Sequence, residues 1–317
     1  LNKTRSVLKS GHRAIWFLNR RGYSNFVLCP ECGETVDCEN CNVSLTYHRR
    51  ARAMRCHYCG YTRPVPNRCP QCGGEEIDRI GLGTEKLEEL AVEEFPEAKI
   101  IRMDSDSVTR KKARFEKLSR FGESKPGLLI GTQMVTKGLD FEHVDFVGVV
   151  NVDNGLHLPD FRAGEHVFQQ LVQVCGRAGR KASGSEVLVQ TYTPGHYAIQ
   201  LGSEQSYEHF FKKECGFRKP LKYPPYTRLI NIIGKGQSKH KVTEELNRLH
   251  DGLSGFQKVE LLGPAPCGID YIEGNHRWHL MARGQFSSSW RKTLRRLVRE
   301  SDKGAQLIVD VDPTAVM

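Results

Sequence analysis

No stretch of this 317-residue sequence approaches the roughly 20 consecutive apolar residues that a membrane-spanning helix requires. The basic opening from Leu1 to Arg21 also lacks the apolar centre of a secretory leader. A membrane or secreted protein is therefore not expected, and a cytoplasmic location is. There is no low-complexity tract, and no internal repeat beyond paired cysteines. Also missing are a Gly-x4-Gly-Lys-Ser/Thr loop and an Asp-Glu-x-His box, the parts that hold Mg and a triphosphate in phosphoryl-transfer motors. What the sequence has in surplus is positive charge: 47 Lys and Arg against 37 Asp and Glu leave +10, which favours polyanionic partners. A hydrophobic share of 38% with 26% charged residues is ordinary for a globular protein and excludes wholesale disorder. The length suggests about two or three domains. The chain opens at Leu1 inside what reads as a helix-to-strand unit, so a piece of a longer polypeptide is expected.

The charge is unevenly spread, with net values of +6 for residues 1–28, +2 for 29–72, −4 for 73–195 and +6 for 196–317. Apolar runs bounded by turn residues predict buried parallel strands at Ala14–Leu18, Ile100–Met103, Leu128–Ile130, Phe146–Val150 and Val187–Gln190. Helical patterns lie between them: one capped by Thr84 and stopped by Pro96, then Arg110–Phe121 and Arg162–Cys175. Strands alternating with helices of this length indicate a doubly wound α/β unit, interrupted after its first strand by a cysteine-rich segment. A Pro-rich joint, Lys219–Tyr226, can continue neither a helix nor a central strand. Beyond it the order strand (Leu229–Ile233), helix (Lys241–Leu253), strand (Val259–Leu262), strand (Trp278–Ala282), helix (Ser289–Arg299), strand (Leu307–Val311) is that of a ferredoxin-like α+β sandwich. The expected units are 1–28 with 73–200, the insertion 29–72, and 201–317.

Eight of the 11 cysteines fall into four Cys-x-x-Cys pairs: Cys29/Cys32, Cys38/Cys41, Cys56/Cys59 and Cys69/Cys72. Each pair is followed by Gly33, Asn42, Gly60 or Gly73, residues that tolerate the left-handed backbone of a tight turn presenting two sulfurs to one ion. Two closed Zn(Cys)4 sites account for this pattern, and a four-sulfur shell leaves no open position for chemistry. Four pairs can share two ions in three ways. The 14-residue gap between Cys41 and Cys56 is close to ribbon spacing and favours Cys38/Cys41 with Cys56/Cys59, the outer pairs closing around them. Disulfides would need an oxidising compartment that nothing indicates, and iron–sulfur ligation explains eight regularly paired ligands less well. The segment has too few apolar residues for a core of its own, so metal is expected to supply much of its folding energy. His57 is expected on the surface or beside the ligands, and Cys175, Cys215 and Cys267 read as buried thiols.

The segment Gln173-Val-Cys-Gly-Arg-Ala-Gly-Arg180 places Gln173, Arg177 and Arg180 at i, i+4 and i+7 of a helix, hence on one face. Two guanidiniums and an amide suit a nucleotide's γ-phosphate, although a solvated basic helix end capped by glycine has the same pattern. Leu128–Phe141 reads as a buried strand, a Gly-Thr at its carboxyl end, then Gly138 and Asp140. Ligands gather at the carboxyl ends of strands in open α/β sheets, so Thr132 can offer its hydroxyl to a phosphate. Gly138 permits close backbone approach, and Asp140 can orient an arginine or a ribose. A strand followed by a capped helix is the plainer alternative.

Taken together, NRRGY (Asn19–Tyr23), the four cysteine pairs, GTEK (Gly83–Lys86), GTQMVTKGLDF, PDFRAGEH (Pro159–His166) and QVCGRAGR resemble the PriA, or primosomal protein N′, family of superfamily 2 replication-restart helicases over essentially the whole chain. The resemblance implies a RecA-like second helicase lobe in which Gly131–Asp140 is motif V and Gln173–Arg180 is motif VI. Arg177 and Arg180, with Gly138 and Asp140, would meet ATP and Mg, while Thr132 and Lys137 would contact nucleic acid. It also implies a paired-zinc insertion that touches forked DNA and primosome proteins, and supports the nested pairing Cys29/Cys32/Cys69/Cys72 around Cys38/Cys41/Cys56/Cys59. The tail would bind DNA and help dock the C-terminal tail of single-stranded-DNA-binding protein. Without a Walker loop or DExH box, the chain is expected not to hydrolyse ATP unless joined to the missing first lobe.

In that tail, Arg277, Trp278, Trp290, Arg291, Lys292, Arg295 and Arg296 form a basic set with interleaved aromatics, suited to phosphate contact and base stacking or to an acidic peptide carboxylate. Core packing is the default for Trp278, and a solvated face for Arg291 and Arg295. The main expectation is the C-terminal part of an ATP-dependent 3′-to-5′ DNA helicase acting on forked and single-stranded DNA. A non-enzymatic zinc scaffold for nucleic acid or protein is the alternative, and a zinc-ribbon RNA-binding protein a third.

Overall fold

The computed structural model describes residues 1–18, 27–29, 31–39, 44–48, 53–56, 59–75, 78–79, 84–103, 111–132, 144–158, 160–178, 185–301 and 304–314. In chain order, α1 (Asn2–Lys9) leads into β1 (Arg13–Leu18). The cysteine segment follows with the short strands β2 (Val27–Leu28), β3 (Thr46–His48), β4 (Ala53–Arg55), β5 (Thr62–Pro64) and β6 (Asp78–Arg79). Then come α2 (Thr84–Glu94), β7 (Lys99–Met103), α3 (Lys111–Glu123), β8 (Gly127–Gly131), β9 (Val144–Val150), α4 (Asp153–Leu156), α5 (Ala163–Ala178) and β10 (Glu186–Val189). Five of these strands form a wholly parallel sheet in the order β10-β9-β1-β8-β7.

The sheet is doubly wound because its central strands are apolar on both faces. Ala14, Trp16 and Leu18 of β1 face Val7 and Leu8 of α1, Leu87 and Ala91 of α2, and Phe95 just after it. Ile15 and Phe17 face the other way, into a core with Phe121 of α3 and Val167, Leu171 and Val174 of α5. Every strand and helix expected for this unit is present; α2 opens on Thr84 itself, whose side chain is buried. From β1 the chain runs to the β7 edge, returns through β8, then crosses to β9 and β10. The strand order thus reverses about β1, the kind of point where open α/β sheets bind ligands beyond their carboxyl ends.

After β10 two helices, α6 (Tyr197–Ser203) and α7 (Tyr207–Arg218), precede the Pro-rich joint, which has no helix or strand. The last unit is β11 (Arg228–Gly236), α8 (Lys239–Leu253), β12 (Val259–Ile272), β13 (Asn275–Gly284), α9 (Ser288–Arg299) and β14 (Gln306–Val311). Its sheet is antiparallel with order β12-β13-β11-β14, as expected of the ferredoxin-like pattern. Ile230, Ile232, Leu280 and Ala282 pack on α8 and α9, around fully buried Trp290.

The opposite face of this second sheet is covered too. Leu229, Leu262 and Met281 form one core with Tyr47, Met54 and Cys56 of the cysteine segment and Tyr223 of the joint. Among the described residues, the buried apolar side chains of the insertion share their core with the C-terminal sheet. Trp290 cannot stack on a base, which corrects the reading of exposed interleaved aromatics. Trp278 packs against the core edge, with the Lys239 ammonium 5.1 Å from its ring centroid.

Candidate metal centres and nucleotide edge

Both cysteines and the following glycine are described for three of the four pairs, and their backbone hydrogen bonds are alike. Gly33, Gly60 and Gly73 donate their backbone N–H to the carbonyls of Cys29, Cys56 and Cys69 at 2.8, 3.1 and 2.9 Å. The cysteines in turn donate to Glu34, Tyr61 and Gly74 at 2.9, 2.8 and 2.8 Å. All three glycines have left-handed backbones, with φ of +76, +79 and +79°, which is why glycine follows each pair. The turns aim sulfurs inward. Cys29 and Cys72 Sγ are 3.6 Å apart and Cys32 and Cys69 Sγ 3.7 Å apart, all four lying within 4.8 Å of one another. In the second group Cys38 and Cys59 Sγ are 3.6 Å apart, with Cys56 alongside. Cys41 and His57 lie outside the described residues.

These separations fit a metal. A tetrahedron with Zn–S bonds of about 2.3 Å has S···S edges of about 3.8 Å, and thiolates at that spacing repel unless a cation lies among them. Metal-free thiols here do not ionise alike: burial pushes Cys32 up to about 12. Cys69 is instead lowered to about 7, burial opposing but backbone N–H groups of Cys72 and Gln71 prevailing. Among the remaining cysteines Cys267 is buried and pushed by burial up to about 11, whereas Cys175 and Cys215 are only partly covered.

The nucleotide candidates are less fully placed. Thr132, buried at 5% exposure, follows β8 at the carboxyl edge beside the switch point, where its strand position predicts it. The helix α5 is continuous from Ala163 to Ala178, so Gln173 and Arg177 occupy successive turns of one face, and Gln173 is exposed. The Arg177 side chain, together with Lys137, Gly138, Asp140 and Arg180, lies outside what the structure describes. The structure does not bring Thr132 and Gln173 to one edge. Because α5 returns from the carboxyl edge to the start of β10, which lies beside the start of β9, Gln173 and Arg177 stand toward the opposite end of the strands.

Sequence reasoning missed a group that holds the carboxyl ends of β9 and β10 together. The Asp153 carboxylate, fully buried, accepts from Thr191 Oγ1 and Thr193 Oγ1 at 2.8 Å each and from the Tyr192 N–H at 3.1 Å. A short polar cluster after each apolar strand was the only signal. Nearby, Thr35 Oγ1 of the insertion lies 3.1 Å from Nδ1 of His157, whose pKa burial lowers from its ordinary value. Gly33 packs here as well: a Cβ on it would come within 2.6 Å of Tyr192 Cβ and 2.8 Å of Thr193 Cγ2.

Three family models match separate stretches of the chain. Residues 77–182 match the model of the helicase conserved C-terminal domain, residues 38–64 that of the PriA DNA helicase Cys-rich region, and residues 219–314 that of the primosomal protein N C-terminal domain. Replication restart protein PriA of Bacillus subtilis is 40% identical over 324 residues, covering 100% of the chain and 40% of that protein. The chain belongs to the PriA family. The PriA proteins of Synechocystis and Haemophilus influenzae are 38% and 36% identical, over 96% and 99% of the chain and 37% and 44% of their own lengths. The chain thus spans about two-fifths of the PriA relatives it matches. The family's cysteine-rich ribbon supports zinc as the metal of the cysteine clusters. No helix among the described residues is long and apolar enough to cross a membrane.

Proposed function

We propose that residues 1–28 and 73–200 form the second motor lobe of an ATP-dependent 3′-to-5′ DNA helicase that acts at stalled or forked DNA to restart replication. Residues 29–72 would hold two structural zinc ions, one on Cys29/Cys32/Cys69/Cys72 and one on Cys38/Cys41/Cys56/Cys59. The same insertion would touch forked DNA and primosome proteins, and residues 201–317 would serve DNA and the tail of single-stranded-DNA-binding protein. Zinc supplies cross-links between the cysteine turns and no reactive position, since each shell is closed by sulfur.

The unbroken path of α5 through Gln173 and Arg177 carries the motor reading. Gln173 and Arg177 stand four positions apart on that helix, and Arg180 follows three positions later in the sequence. Arginines so placed neutralise charge that develops on a transferring phosphoryl group held by another lobe. Thr132, at the carboxyl edge, and Lys137 contact the nucleic-acid strand, and Gly138 and Asp140 border the nucleotide. The reading is tested by Arg180→Ala in the full-length protein. ATPase activity is expected to be abolished with fork binding nearly intact; retained turnover defeats the assignment.

A further inference from the structure

Lys3 and Arg5 of α1, a helix that also has no acid, pair with Glu186 and Glu94 of other elements, a pairing absent, among the described residues, from helix α9. Its twelve residues, SSWRKTLRRLVR, hold Arg291, Lys292, Arg295, Arg296 and Arg299 and no acid. By contrast α3 carries Glu116 and Glu123, and α7 carries Glu208 and Glu214. All five α9 cations are exposed, and among the described residues none forms an ion pair. Trp290, Leu294 and Leu297 anchor the helix from beneath, and Ser287 Oγ caps it by accepting from the Trp290 N–H at 3.1 Å. At about 100° per residue the five cations fall within an arc of about 140°, spread over about 12 Å of axis. Holding five like charges together without counter-charges costs free energy, which the helix dipole offsets only in part, for Arg296 and Arg299 in the last turn.

Two ligand classes could use this charge. Arg291, Arg295 and Arg299 border an apolar groove of about 490 Å³ floored by Phe286, Leu294, Val298 and Val309, which an acidic peptide with apolar side chains could enter. Lys292 and Arg296 are not among its lining residues, and a groove-bound peptide would leave them unused. The cations form a convex ridge, not a pocket. With Trp290 fully buried, the ridge offers no aromatic platform for stacking unpaired bases. A convex helix bearing charge on both flanks complements the paired phosphate rows of duplex nucleic acid, whose major groove is about 12 Å wide and admits a helix.

We infer that the α9 ridge is a sequence-independent docking surface for duplex nucleic acid, gripping phosphates with Lys292 and Arg296 as well as with the three groove-side arginines. The inference rests on the nucleic-acid reading proposed above and specifies which surface and which form of nucleic acid it concerns. The test uses the zinc-loaded 317-residue chain and a 20-base-pair duplex of mixed sequence, with binding measured across a salt series. Each phosphate contact contributes about 0.9 to the slope of log K against log salt. Lys292→Gln/Arg296→Gln should therefore flatten the slope by about 1.8, and adding Arg291→Gln, Arg295→Gln and Arg299→Gln should flatten it by up to about 4.5. Lys9→Gln/Lys219→Gln, which removes equal charge at exposed positions elsewhere, should leave the slope nearly unchanged. Circular dichroism checks that each variant is folded.

A steep wild-type slope unaltered by Lys292→Gln/Arg296→Gln overturns the inference alone. Equal flattening by the Lys9/Lys219 control reduces the effect to net charge and overturns it as well. The same holds if the groove-side triple variant loses a fluorescent Asp-rich peptide while duplex binding is unaffected. A wild-type chain with no measurable salt dependence on duplex, forked or single-stranded DNA would instead sink the nucleic-acid reading of the whole protein.

Discussion

Phe161 and Tyr223 stack face to face, with ring centroids 4.6 Å apart and planes 2° from parallel. The two rings join units far apart in the sequence: Phe161 precedes α5 of the parallel-sheet unit, and Tyr223 belongs to the joint beneath the antiparallel sheet. Cations close the stack, Arg162 and Arg218 over Phe161 at 4.7 and 5.1 Å and Arg283 over Tyr223 at 5.5 Å. Arg218 is fixed in turn by Glu165 of α5 at 2.8 Å and Glu214 at 2.6 Å, and Arg162 donates to the Pro313 carbonyl near the end of the chain. A displacement of α5 therefore acts directly on the body that carries the cysteine clusters and the α9 ridge.

Truncating the buried partner of this stack should be costly. Tyr223 is 2% exposed, so Tyr223→Ala is expected to lower stability by about 3 kcal/mol, the low end of the range for a large buried aromatic. Urea denaturation checks this. Limited proteolysis should also show earlier cleavage in the 219–226 joint, and an unchanged cleavage pattern would mean that the stack does not hold the units together.

The cysteine-turn glycines should differ in tolerance although their backbones are alike. Gly73→Ala meets open space and should cost about 1–2 kcal/mol, the penalty of a left-handed non-glycine residue. Gly33→Ala carries the same penalty and in addition drives a methyl into Tyr192 and Thr193, so it should be distinctly more destabilising. Thermal melts of the two variants side by side decide the matter; equal loss would mean that the insertion does not press on the Asp153-held segment.

Histidine 196 should make the protein acid-sensitive. Its imidazole, ordinarily titrating at 6.5, is held down to about 4, chiefly by burial and then by neighbouring His157. Its neutral Nδ1 caps α6 by accepting from the Ala198 N–H at 3.2 Å. Between pH 6.5 and 4 the unfolded chain binds a proton that the folded chain refuses, so stability is full above 6.5 and falls as pH drops through that window. At about 1.4 kcal/mol per pH unit the loss reaches up to ~3 kcal/mol. His196→Asn retains a capping acceptor and does not titrate, and should flatten the dependence measured by urea denaturation at pH 7 and 4.5.

Metal removal should uncouple the insertion from the sheet it covers. Chelation is expected to release two zinc ions per chain, with proton uptake by the freed thiolates, and to expose Leu229 and Met281 to apolar dyes. Cys32→Ser should leave one ion bound, counted by elemental analysis. Retention of both ions in that variant would contradict the proposed division into two sites.

By themselves, local patterns in the chain determined the element types and their order. A strand buried on both faces is a short apolar run whatever its neighbours are, and an amphipathic helix such as α9 declares its buried stripe through its own 3.6-residue period. The cysteine turns were equally legible, because glycine four residues after the first sulfur is a local backbone requirement met within one turn. The tertiary structure alone decided what those patterns leave open. It packed the insertion against the free face of the antiparallel sheet and buried Asp153 between two strand ends. It also turned α5 so that Thr132 and Gln173 stand toward opposite ends of the strands. Each of these depends on contacts between residues tens to hundreds of positions apart, and no periodicity or spacing along the chain encodes which apolar face meets which.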